Sequence, residues 1–115
     1  MKPRSAKNKG KRLQNKVRDL ILEKFNTLEE DDVRSITMGD SGEDILLSPA
    51  ARRLFPFSVE CKNQETGNVW KAMEQAQANA KHYTPIVVMK KNNEKPLVVI
   101  DAEVFIDMIG EINDG

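Results

Sequence analysis

Cysteine is almost missing from this chain: Cys61 stands alone among 115 residues, so no disulfide can form within it. One cysteine and one histidine, His82, cannot build a closed zinc site either. No apolar run approaches the ~20 residues needed to cross a bilayer, and the N-terminus lacks the apolar stretch of a secretory leader. No membrane association and a reducing cytoplasm are therefore expected. Charge of one sign is missing overall, with 18 basic and 18 acidic residues, but the balance conceals an asymmetry. Residues 1–12 hold Lys2, Arg4, Lys7, Lys9, Lys11 and Arg12 and no acid, whereas residues 101–115 hold five acids and no base. A basic segment of this kind suits phosphate binding through counterion release, and it equally suits a solubilising tail.

The length fits one domain with one core. Residues 1–10, with Pro3, Gly10 and several lysines, read as a flexible basic arm, and residues 11–115 as the folded domain. Leu13, Val17, Leu20, Ile21 and Phe25 fall at helical spacing, predicting a helix from Lys11 to about Asn26. Strands are expected over 33–38 and 43–47, separated by the turn-forming Gly39-Asp40-Ser41-Gly42. A short helical turn follows Ser48-Pro49. Residues 57–62 then alternate, with Phe57, Val59 and Cys61 on one face and Ser58, Glu60 and Lys62 on the other. A helix over 69–82, strands over 85–90 and 96–100, and a last helix capped by Asp101 complete the chain. This order implies an α/β fold with a mixed five-stranded sheet flanked by helices.

The chemistry-bearing residues lie in Ser41-Gly42-Glu43-Asp44-Ile45 and Val59-Glu60-Cys61-Lys62. Glu60 and Lys62, two apart on a strand, share a face, and Asp44 comes from the neighbouring strand. Two converging carboxylates make an oxygen-rich site suited to Mg²⁺, with Mn²⁺ as a substitute. A cation so held acidifies bound water and stabilises charge on a phosphate, while Lys62 can orient or deprotonate the attacking water. An exposed Glu60–Lys62 ion pair is the plainer alternative. It fits poorly with a strand whose other face is strongly apolar, because buried carboxylates need partners or a metal.

These two segments, with a helix before and a glutamine-bearing helix after, resemble the PD-(D/E)xK nuclease superfamily and its restriction-endonuclease-like core. Within it they are similar to archaeal-type and phage Holliday junction resolvases. The run Ser48-Pro49-Ala50-Ala51-Arg52-Arg53-Leu54-Phe55-Pro56-Phe57 is similar to small phage-encoded endonucleases. The resemblance spans roughly residues 10–105. It implies a Mg²⁺-dependent DNA endonuclease, a four-way junction or other branched DNA as substrate, and host cytoplasm as its location. A C2 homodimer would match the two strands to be cut. Asp44, Glu60 and the Cys61 carbonyl would ligate the metal, Lys62 would be the catalytic lysine, and Ser41 would touch the scissile phosphate or a metal-bound water.

Two departures accompany this pattern. Glu43 stands where relatives often have proline, and Gln14 stands where many place a metal-binding glutamate. On the later helix Gln75, ahead of Gln77, is the candidate for the superfamily glutamine. Lys9, Lys11, Arg12, Arg52 and Arg53 are candidate DNA contacts. Trp70 reads as a packing anchor or a base-stacking residue, more readily the former, and Cys61 as a core residue. Another structure-specific or nicking phage nuclease of the same core, or a non-catalytic DNA-binding module, stays open as an alternative.

Overall fold

The computed structural model describes residues 3–36 and 42–114, with side chains from residue 8 onward. Helix α1 (Pro3–Lys24) buries Leu13, Val17 and Ile21 of the stripe read from the sequence, whereas Leu20 is exposed and Phe25 lies just past the helix end. It begins at Pro3, within the segment expected to be an irregular arm. Proline suits a first helical position because its missing N–H would be unpaired there anyway. Gly10, expected to end the arm, has open space around its α-carbon within the helix.

A 3₁₀ turn (Glu30–Asp32) leads into β1 (Val33–Ser35), which pairs antiparallel with β2 (Ile45–Leu47). Helix α2 (Pro49–Leu54) starts on Ser48, whose hydroxyl accepts from the Ala51 N–H at 3.1 Å and donates to Asp32 at 2.6 Å. Strand β3 (Phe57–Asn63) runs parallel to β4 (Thr84–Lys90), and α3 (Val69–Asn79) makes the crossover that parallel neighbours require. Strand β5 (Leu97–Val99) pairs antiparallel with β4, and α4 (Ala102–Asp114) follows, capped as expected by the Asp101 carboxylate at the Val104 N–H, 3.1 Å.

The alternation expected along β3 is present. Val59 and Cys61 join Leu13, Val33, Ile45 and Ile86 in the larger core, while Ser58 and Glu60 are buried on the opposite side. On β4, Val87 packs with Ala72 and Ala76 of α3 as a second cluster.

The strands form two sheets, β1-β2 and β3-β4-β5, rather than the single five-stranded sheet expected. The reason lies at Asp44. Its N–H donates to the Val59 carbonyl at 3.0 Å, and its carboxylate accepts from the Cys61 N–H at 2.7 Å. At Asp44, just before β2, a side chain thus takes the place a ladder carbonyl would fill, and β2 packs near β3 without pairing along a register.

Candidate active site

Asp44, Glu60 and Lys62 come together where β2 touches β3. The Asp44 carboxylate is fixed by the Cys61 N–H, so the residue between Glu60 and Lys62 sets its position. Glu60 is only 4% exposed although ionisable. Its Oε1 lies 3.7 Å from the Lys62 ammonium, and its Oε2 is buried with no hydrogen-bond partner. Burial, reinforced by the neighbouring Asp44 carboxylate, pushes the Glu60 carboxyl up to about 7, with Lys62 and Asn79 opposing in part. Burial also raises Asp44, against the Cys61 N–H, Lys62 and a hydrogen bond with Glu60. Two carboxyls this close, both made reluctant to ionise and one with an orphaned oxygen, form a site that a cation would complete.

The donors are hard oxygens, which suit Mg²⁺ or Mn²⁺. Among the described residues no cluster of three or more His, Cys, Asp or Glu is placed to hold a metal. Among the described residues, carbonyl and amide oxygens and water could complete the coordination, in keeping with the waters Mg²⁺ tends to retain. Gln14 of α1 supplies a second orphan: its Oε1 is also buried without a hydrogen-bond partner. The Cys61 thiol belongs to that core, and burial raises its pKa beyond use as a nucleophile.

Sequence reasoning missed Asn79. Its side chain faces Glu60 and works against the rise in that carboxyl's pKa, and Gly42 lies so close that a Cβ there would come within 2.5 Å of the Asn79 Oδ1. Only glycine permits that approach. Asn79 sits one turn beyond the expected Gln75 on the same side of α3, whereas Gln75 is exposed. The helix and its side were legible; the turn was not. Ser41 lies outside the described residues.

The basic candidates divide. Arg52 is not a free cation: its guanidinium donates to both Glu43 oxygens at 2.8 Å and to the Phe57 carbonyl at 3.0 Å, and lies 4.0 Å over the Tyr83 ring. Expected as a DNA contact, it is a buried clamp, and Glu43, in the place relatives give to proline, is its partner. Arg53 is exposed. Lys11 donates to the Ser35 hydroxyl at 3.0 Å, while Lys9 and Arg12 line an open groove beside α1. Trp70, expected foremost as a packing anchor, is 79% exposed at the start of α3.

The family model described as "Phage putative PDDEXK endonuclease" matches residues 5–114, nearly the whole chain. The chain belongs to this family. No curated protein and no solved structure matches it. Membership makes it a phage endonuclease of the PD-(D/E)xK type, a class that generally uses divalent metals. No helix among the described residues is long and apolar enough to cross a membrane.

The Glu60 environment has a measurable consequence without metal. Its folded value of about 7 lies above the ordinary 4.5, so the folded chain holds this proton more tightly than the unfolded chain does. The metal-free protein is therefore expected to be most stable, as far as Glu60 is concerned, below about pH 4.5, and to lose stability as the pH rises to about 7. Thermal melts in EDTA across that window should show this decline in the wild type and a flatter profile in Glu60→Gln. Equal slopes in both proteins would remove Glu60 as the cause.

Proposed function

We propose that the chain hydrolyses DNA phosphodiester bonds with Mg²⁺ held by Asp44 and Glu60, and that branched DNA, a four-way junction in particular, is its substrate. The observation that carries the reading is the buried, unpartnered Glu60 Oε2 beside a second carboxyl and the Lys62 ammonium. Asp44, Glu60 and Lys62 also supply the acid, acid and lysine after which the superfamily is named. The Cys61 carbonyl and the Gln14 amide oxygen are the further candidate ligands. Being neutral, Gln14 would hold a cation less strongly than a glutamate.

Held by Asp44 and Glu60, a divalent cation would supply a more acidic water and positive charge beside the scissile phosphate. Lys62 orients the attacking water and offsets the negative charge that develops on the phosphate oxygens. Asp44, locked to the Cys61 N–H, and Glu60, steadied by Asn79, keep the two carboxyls converged without rearrangement.

The junction assignment rests on the resemblance of residues 41–45 and 59–62 to resolvases, and such a substrate calls for two sites. A homodimer is favoured by the last helix. None of its residues is buried, and Phe105, Ile106, Ile109 and Ile112 are exposed, as are Leu97 and Val98 of β5. Val104 and Met108 are half-buried and contribute less to that face. Sedimentation should give twice the 13.0 kDa chain mass, and a monomer at micromolar concentration would remove the dimer.

Incubation with a labelled four-way junction and a matched linear duplex in Mg²⁺ tests the substrate. Paired symmetric cuts confined to the junction are expected. Cutting of the linear duplex at a similar rate would leave a nicking or other structure-specific nuclease. Tight binding with no cutting of either would leave a DNA-binding module.

A further inference from the structure

Beside α1, at the end of β3 and β4, lies an open groove of about 510 Å³. Its lining includes four cations, Lys9, Arg12, Lys16 and Lys90, together with the side-chain amides Asn63 and Asn92, and it contains no carboxylate. In a chain of zero net charge such a one-signed concavity is a local concentration of positive potential. Lys9, Arg12 and Lys16 occupy positions i, i+3 and i+7 of α1, a single stripe along one wall.

The walls are tied together. The Asn63 amide donates to the Lys9 carbonyl at 3.4 Å, joining β3 to α1. The Gln64 N–H donates to the Lys90 carbonyl at 3.0 Å, and the Glu65 carboxylate accepts from the Asn92 N–H at 3.0 Å, fixing the turn after β4 from outside the groove. The cations thus line a preformed frame, with the Lys90 ammonium donating to the Lys91 carbonyl at 3.0 Å.

We propose that this groove is a binding site for the DNA sugar–phosphate backbone, holding the substrate next to the cleavage site. The partner rests on the nuclease reading; the groove rests on its own geometry. From Lys9 to Lys16 the helix rises about 10 Å. One DNA strand carries a phosphate per about 3.4 Å of helix axis, so the stripe spans about three phosphates. Lysine and arginine neutralise them, and the asparagine amides donate to phosphate oxygens without reading sequence. Asn63 follows Lys62 directly on β3. Its side chain points to the face opposite Lys62, so a DNA strand held in the groove reaches the catalytic lysine by passing over the end of β3. Lys16 and Lys90 join Lys9 and Arg12 as contacts, while Arg52 is excluded by its pairing with Glu43.

The test compares the wild type, Lys16→Ala/Lys90→Ala, and the control Lys24→Ala/Lys71→Ala, whose lysines are exposed outside the groove. Fluorescence anisotropy of a labelled linear duplex is followed in EDTA between 50 and 200 mM KCl. Each phosphate contact contributes about 0.9 to the slope of log affinity against log salt, so the groove variant should lose about 1.8 of that slope. The fourfold rise in salt should then weaken it about 12-fold less than the wild type. In Mg²⁺ its KM should rise with kcat retained, and the control should match the wild type in both assays. An unchanged slope in the groove variant, or an equal loss in the control, would overturn the site. A groove-dependent slope in a protein that never cuts would sink the nuclease reading and keep the groove; cutting with an unchanged slope would do the reverse.

Discussion

Lys62→Ala is expected to slow DNA cleavage by on the order of 10³-fold while leaving DNA binding nearly unchanged. The ammonium lies 3.7 Å from Glu60 Oε1, at the edge of the carboxyl pair, where it can serve both the attacking water and the charge developing on phosphate. Its side chain is partly exposed, so truncation leaves no cavity and the fold should persist. Asp44→Asn is the companion variant. Its amide oxygen can still accept the Cys61 N–H now bound at 2.7 Å, so the β2–β3 contact is kept while the ligand charge is lost. Asp44→Ala is a poorer probe, because it leaves a buried N–H unpaired at a cost of about 1–3 kcal/mol. Single-turnover cleavage with anisotropy on the same samples separates chemistry from binding. Retention of a tenth or more of the wild-type rate in Lys62→Ala would remove the lysine from the mechanism.

The largest effect on stability is expected at Arg52, through its pairing with Glu43. Arg52→Ala should destabilise the protein by about 3–5 kcal/mol, because it removes at once the bidentate bond to the nearly buried Glu43, the bond to the Phe57 carbonyl and the stacking on Tyr83. Both side chains of the pair are nearly buried, at 10% and 12% exposure, so solvent screens little of this interaction. The loss is a large part of a typical folding stability of about 5–15 kcal/mol. Arg52→Lys should not restore it, since one ammonium cannot reproduce the fork to Glu43, the bond to the Phe57 carbonyl and the stacking on Tyr83 together. Urea unfolding measures the change. A loss under about 1 kcal/mol would place the pair among ordinary surface ion pairs. Glu43 immediately precedes Asp44, and Arg52 ties it to the start of β3, so this clamp also helps set where the first carboxylate sits.

These two residues mark where sequence reasoning reached and where it stopped. Glu60 and Lys62 were legible because strand alternation has a period of two, and a charged pair opposite Val59 and Cys61 can only share the other face. Asp44 was legible as a neighbour, but its hydrogen bond to the Cys61 N–H was not. That bond, a side chain in place of a backbone acceptor, lies where the expected five-stranded sheet is divided into two. Arg52 looked like a DNA contact because a cation beside another cation in a short helix carries no sign of its partner. Glu43 read only as a departure at the place relatives give to proline, with no sign that Arg52 would meet it. On α3, composition predicted the helix, yet Gln75 and Asn79 occupy one face at adjacent turns, and only the position of Glu60 distinguishes them. Trp70 was misjudged because a large apolar side chain at a helix start carries no mark of which way that start faces. The early start of α1 was hidden by lysines and Gly10, which suit an exposed helix as readily as an arm.

The central claim is that Asp44, Glu60 and Lys62 form a cation-dependent phosphodiesterase site. The most direct test is cleavage of a labelled four-way junction by the wild type in EDTA and in Mg²⁺, beside Lys62→Ala in Mg²⁺. Cleavage by the wild type in Mg²⁺ alone, absent in EDTA and in the variant, is the predicted result. Undiminished cleavage in EDTA, or by Lys62→Ala, would contradict it.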